Sequence, residues 1–166
     1  MSIQEELRAL TLWRPWPNVI LYGGKRVENR PWKPWKVVMG KYIALHAGFT
    51  YDDEAARWMR LKRLYDPPSE KDCPSGCIVG VARVVGYINK QGIDQNGNPN
   101  EAVKSPWFFG PYGWLLDNVT PLSNPVAVKG ARGLWTVEEE IRAKVRKGYL
   151  EYLVRKAFFE YLTNEN

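Results

Sequence analysis

The sequence predicts an α+β domain, a small mixed β-barrel with flanking helices and a long C-terminal helix. Three observations predict it. Short strand-like stretches separated by Gly- and Pro-rich turns run from Leu10 to Val128, a short helical segment sits between the first two of them, and the pattern after Thr136 switches to one long amphipathic run. At 166 residues the chain suits a single core, burying about 70% of the unfolded surface without disulfides or structural metals. No internal repeat and no low-complexity tract divides it. We therefore expect residues 1–135 to form the barrel domain and 136–166 a helical extension packed on that domain.

Leu10–Leu12 reads as a strand entering Arg14-Pro15-Trp16-Pro17, where Pro17 suits the first turn of a helix over Asn18–Tyr22. Gly23 and Gly24 end that helix, because glycine readily adopts the left-handed C-terminal cap. Lys25–Asn29 alternates as a strand and is broken by Pro31 and Pro34; Tyr42–His46 is a strand by its Tyr/Ile/Leu content. Tyr51–Tyr65 carries Ala55, Trp58, Met59, Leu61 and Leu64 at helical spacing. Asp66-Pro67-Pro68-Ser69 is a connector, and Ile78–Ile88 an apolar run that suits a strand buried on both faces. Asp94–Asn100 has no apolar residue and is expected to be an exposed, mobile loop. Leu115–Val119 and Pro125–Val128 read as two strands with turns at Pro121 and Asn124-Pro125. Thr136-Val-Glu-Glu139 has the capping-box pattern and opens a helix of about seven turns to near Leu162. Its apolar stripe holds Ile141, Val145, Tyr149, Tyr152, Leu153, Phe158, Phe159 and Leu162, with Gly148 as a candidate bend. The stripe is expected to pack on its own domain; a homodimer through this helix is the alternative.

Composition excludes several classes. No apolar run approaches the roughly 20 residues of a membrane span, and the acidic start MSIQEELRAL is unlike a signal peptide. A cytoplasmic setting and no membrane partner are expected. Cys73 and Cys77 form C-x3-C, but zinc wants four N or S ligands and His46 is the only histidine, so neither a metal nor another cofactor is expected. The net charge is +6. Residues 25–41 alone hold Lys25, Arg26, Arg30, Lys33, Lys36 and Lys41 against Glu28, a local net of +5.

That charge adjoins an aromatic cluster. Leu10–Trp35, LTLWRPWPNVILYGGKRVENRPWKPW, holds four of the eight tryptophans. Flat aromatic faces beside cations suit a nucleobase and its phosphate, and an RNA or nucleotide partner is the expectation. Trp13 and Trp16 either stack a base or wedge into the barrel wall. Arg14 is the better phosphate candidate, since its guanidinium fork matches two phosphate oxygens. Asn29 can read a base edge, and Arg30 and Trp32 extend the surface. Phe109, Gly110 and Tyr112 stand in a Phe-Gly-Pro-Tyr-Gly turn whose glycines expose the tyrosine. Under strict strand alternation Lys25 and Glu28 point apart, and Glu28 pairs with Arg26 or Arg30; a bulge at the Gly-Gly turn would instead join Lys25 to Glu28 as an acid-base pair. His46 reads as a structural histidine, and Trp114 and Trp135 as core.

Taken in order, LTLWRPWPNVILYGGKRVENRPW, CIVGVARVVG, and WFFGPYGWLLDNVTPL followed by VAVKGARGLW resemble the ASCH domain family of the PUA-like superfamily. The resemblance runs from Ala9 to Trp135, and its most specific parts are Gly24–Glu28 and Phe109–Gly113. It implies a PUA-like β-barrel whose cleft, lined by these motifs, takes a nucleotide or flipped base. Some family members resemble acetylcytidine amidohydrolases, some are described as ribonucleases, and others only bind. In the amidohydrolase type a lysine is followed three positions on by a threonine, with a glutamate on a later helix. Lys25 fits the lysine, but Glu28 stands at the threonine's place and no later glutamate matches, so the hydroxyl nucleophile is missing. Binding of single-stranded RNA or a modified nucleoside is therefore the leading expectation. The rivals are a metal-independent hydrolase, ribonuclease or amidohydrolase-like, with Lys25, Glu28 and Tyr112 as catalytic candidates and His46 as a further available acid-base group, and a protein interaction module built on the C-terminal helix.

Overall fold

The computed structural model describes Ile3 and residues 5–164. Six strands, β1 Arg8–Arg14, β2 Val27–Arg30, β3 Tyr42–Tyr51, β4 Cys77–Asn89, β5 Tyr112–Ala127 and β6 Leu134–Thr136, form one sheet in the order β2-β5-β4-β3-β1-β6. Three α-helices, α1 Trp16–Tyr22, α2 Asp53–Leu61 and α3 Glu139–Asn164, complete an α+β fold. β1 and β3 run parallel and every other pair of neighbours is antiparallel. The outer strands β2 and β6 are not paired with each other, so the sheet has two ends in its hydrogen-bond order.

The core follows from strand alternation. Along β3, Tyr42 and Ala44 face one apolar cluster with Leu7, Ile78, Val81, Val145 and Tyr149. Ile43 and Leu45 face the other, with Leu10, Ile20, Val84 and Trp114. Because side chains alternate with period two, a central strand buried on both faces is apolar at nearly every position, and the buried exception on β3, His46, is hydrogen-bonded through Nε2. A third cluster of Val19, Met59 and Trp107 seats α1 against α2. Gly80 on β4 lets α1 approach: a Cβ there would lie 2.4 Å from a Leu21 methyl.

Several sequence expectations are corrected. β5 is one strand, and Pro121 and Pro125 lie within it. The register passes from Ile78↔Val126 to Gly80↔Pro121, five residues of β5 against two of β4, so the turn signals become a bulge, where proline costs no ladder bond. β3 extends to Tyr51, and the following helix is shorter than the pattern suggested, opened by Asp52, whose carboxylate accepts from the Ala55 N–H at 2.9 Å. Asp94–Asn100 is largely exposed and internally bonded: Asp94 Oδ1 accepts from the N–H groups of Asn96 and Asn98, and Asn100 N–H donates to Gly92. Thr136 ends β6 opposite Arg8, and α3 begins at Glu139, so the capping-box residues do not cap it.

Only the first half of α3 is covered. Val145, Gly148 and Tyr149 are buried on the sheet, whereas Val154, Phe158, Phe159 and Leu162 are exposed. Gly148 lies inside an unbroken helix, and its missing side chain admits Leu122, whose Cβ would stand 3.3 Å from an added Cβ.

Candidate functional site

A cavity of about 810 Å³ opens beside the parallel pair β1 and β3. Four segments build its wall: the end of β1 with Thr11, Leu12 and Trp13; α1 and β2 with Trp16, Lys25, Glu28, Asn29 and Arg30; the end of β3 with His46, Gly48 and Phe49; and the loop from Lys129 to Gly133. Phe109 closes one side. Its size lies within the range of small-molecule sites.

Lys25 and Glu28 meet here. Lys25 precedes β2, so strand alternation does not govern it: Gly24, at φ +75°, turns the chain, and the Lys25 N–H returns to the Val19 carbonyl at the end of α1. Its side chain is then directed inward, with Nζ 5.3 Å from the centre of the Trp16 ring and donating to Glu28 Oε2. Lys25 is 1% exposed, and Glu28 is buried too. Glu28 Oε1 also lies 3.8 Å from an Arg30 nitrogen. The lysine thus joins Arg30 as a partner of Glu28, with Arg26 bonded instead to the Ile20 and Lys25 carbonyls. An ammonium and a carboxylate in contact at a cavity wall give it one proton donor and one acceptor.

Asn29 lines the cavity, but both arms of its amide are engaged. Nδ2 donates to the Trp107 carbonyl and Oδ1 accepts from the Phe109 N–H, each at 2.8 Å. This clamp brings Phe109 to the rim, where its ring meets the edge of Trp58. Trp13 and Phe109 are each 60% exposed, and Phe49 is exposed as well. Trp16 is held by its N–H donating to Asp52 Oδ2 at 3.1 Å.

The remaining predicted residues lie elsewhere. Arg14 is buried behind the wall, its guanidinium donating to the carbonyls of Gly48 (3.1 Å), Phe49 (2.6 Å), Glu70 (2.7 Å) and Cys73 (2.9 Å). It holds the end of β3 in place and offers no free fork to an outside anion. Trp32 packs edge-on against Trp114 and carries Arg30 over its ring. Tyr112 pairs with Tyr87 beneath Lys33, and Gly110, at φ +70°, sits beside Lys90. None of these four lines the cavity. Cys73 and Cys77 are buried free thiols, and burial pushes both above the ordinary thiol value despite the nearby Arg14 charge.

Sequence reasoning missed Phe49 and the Lys129–Gly133 loop. The signal was present in Lys-Gly-Ala-Arg-Gly, two cations spaced by small residues, but nothing local says which surface such a loop crosses. His46 was read as structural and does have a structural bond: its Nε2 stands 2.8 Å from the Val128 carbonyl. It also lines the cavity, and its Nδ1 is buried without a partner. Burial lowers its pKa, opposed by the Val128 bond.

No family profile matches the chain. It is 26% identical over 147 residues to activating signal cointegrator 1 of Homo sapiens, and 24% over 149 residues to that of Mus musculus. Each alignment covers 86% of this chain, and the chain spans about a quarter of these relatives' length, 24% in both cases. Among solved structures, ASCH from Zymomonas mobilis superposes with a TM-score of 0.50 at 16% identity, over 85% of this chain and 94% of that one. At that identity the likeness speaks for the fold.

Proposed function

We propose that this chain is an ASCH domain with a PUA-like fold and that it binds RNA, as a single strand or through one of its nucleosides, in the cleft bounded by Trp13, Trp16, Phe49 and Phe109. The observation that carries the proposal is the shared wall: exposed aromatic rings and the cations Arg30, Lys129 and Arg132 line one cavity of nucleotide size. A base stacks on the exposed rings, while the Lys25–Glu28 pair at the wall offers a donor and an acceptor to its edge. Tyr112, Trp32 and Gly110 stand outside this cleft in the proposal, and Arg14 supports it from behind. Three register shifts between β4 and β5 bend the sheet, in keeping with a barrel-like curl around the site. We further take residues 1–135 as the binding domain and 136–166 as its extension.

The test is binding of single-stranded RNA at rising salt. Counterion release makes affinity fall steeply if cations hold phosphate, by about tenfold or more between 50 and 200 mM salt for several contacts. Absence of binding at low ionic strength, or affinity indifferent to salt, rejects the proposal.

Two observations support secondary readings. Contact between Lys25 and Glu28 favours a hydrolase, tested by incubating the protein with RNA and with acetylcytidine beside a Lys25→Ala variant; equal turnover by both proteins rules out this pair. The uncovered half of α3 favours a homodimer, tested by solution mass with and without residues 155–166.

A further inference from the structure

We propose that the Lys129–Gly133 loop is the phosphate clamp of the cleft, so that its ligand is a phosphate-bearing nucleotide or RNA strand rather than a free nucleoside. This rests on the RNA-binding reading and narrows it to a class of ligand.

Of the cations predicted to bind at the site, Arg14 and Lys25 are engaged and Arg30 is partly so. Arg14 gives its guanidinium to four backbone carbonyls. Lys25 is buried against Glu28. Arg30 lies over Trp32 and 3.8 Å from Glu28. At the inner wall the Glu28 carboxylate offsets part of the charge of Lys25 and Arg30, so that wall offers a phosphate less unpaired positive charge than the rim does. Lys129 and Arg132 also line the cavity, but both are exposed and neither has an ion-pair partner among the described residues. Two free cations three residues apart at the rim, with a paired carboxylate within, orient a nucleotide with its base inward and its phosphate outward.

The loop is also fixed in advance. A carbonyl can only accept, so His46 Nε2 carries the hydrogen and donates to Val128, anchoring the loop's entry. At its exit Trp135 donates to Thr11 Oγ1 at 3.0 Å, with its ring edge-on to His46. Between them Gly130 lies flat on the same two residues. A Cβ there would stand 2.6 Å from His46 Cε1, 2.7 Å from Nδ1 and 2.7 Å from Thr11 Oγ1, so only glycine fits. A loop pinned at both ends loses little freedom when it takes a phosphate, which favours affinity.

The experiment compares cytidine, cytidine 5′-monophosphate and a short single-stranded oligocytidylate by calorimetry and tryptophan fluorescence. The proteins are the parent, Lys129→Gln/Arg132→Gln, and Lys36→Gln/Lys41→Gln, which removes equal charge at exposed positions off the cavity wall. The parent is expected to bind the phosphate-bearing probes about tenfold or more tightly than cytidine. The loop variant should lose that preference with its cytidine affinity unchanged, and the control should keep it. Preference for the monophosphate assigns the clamp to a terminal phosphate; preference for the oligonucleotide alone assigns it to a phosphodiester. Equal binding of nucleoside and nucleotide by the parent, or an undiminished preference in the loop variant, overturns the clamp and leaves the RNA-binding reading standing. Binding of no probe at low salt overturns both.

Discussion

Replacing Glu28 with alanine probes the inner wall most directly, because it strands a buried cation. Lys25 is 1% exposed, and its contacts are Glu28 and the face of Trp16 at 5.3 Å. Breaking a buried pair from one side costs about 3–5 kcal/mol, mostly the uncompensated charge left behind. The opposite change is milder. In Lys25→Met the carboxylate keeps a second cation, Arg30 at 3.8 Å, free to draw closer, and about 1–3 kcal/mol is expected. The double variant Lys25→Met/Glu28→Leu removes both charges and should lie within about 1 kcal/mol of the parent. Urea denaturation of these proteins and of Glu28→Leu measures the set, and the cycle of Lys25→Met, Glu28→Leu and their double variant isolates the coupling. For a domain of this size about 2–4 °C accompanies each kcal/mol, so Glu28→Ala should melt about 6–20 °C lower. A loss below about 1 kcal/mol, the range of exposed ion pairs, would refute the buried-pair reasoning. Equal losses from Glu28→Ala and Lys25→Met would refute the role given to Arg30.

Arg14→Met should destabilise by about 3 kcal/mol or more, since the carbonyls of Gly48, Phe49, Glu70 and Cys73 lose their shared donor; retention of the parent's urea midpoint would count against it. His46 predicts a pH dependence. Burial holds its folded pKa below the ordinary 6.5, so the unfolded chain takes up the proton first as pH falls. Its contribution is complete above about 6.5 and is lost as pH drops toward the folded value, a component that His46→Gln should remove. Identical losses in parent and variant between pH 7.5 and 5 would exclude it. Deleting residues 155–166 removes Phe158, Phe159 and Leu162, all exposed, and should shift stability by no more than about 0.5 kcal/mol in dilute protein. Deleting 138–166 also removes buried Val145 and Tyr149 and should cost about 4 kcal/mol or more; equal effects of the two deletions would contradict the half-covered helix.

The amino-acid sequence by itself determined the α+β class, the helix ended by Gly23 and Gly24, most strand positions, the long last helix and the ASCH resemblance. Each depends on periodicity, glycine and proline conformation or a short motif, all of which act within a few residues. Tertiary structure alone decided which side chains reach the cavity. Arg14 looks like a free guanidinium until the end of β3 and the Glu70–Cys73 turn converge on it from 34 to 59 residues away with four carbonyls. Lys129 and Arg132 look like surface charge until β6 pairs with β1 and brings their loop beside Trp13 and Phe49. Lys25 and Glu28 lie between these cases: the Gly24 turn that joins them is local, but their burial requires α1, β2 and the cavity wall together. The reason is that desolvation and the pairing of polar groups depend on what surrounds a side chain in three dimensions, and a local pattern carries no record of those neighbours.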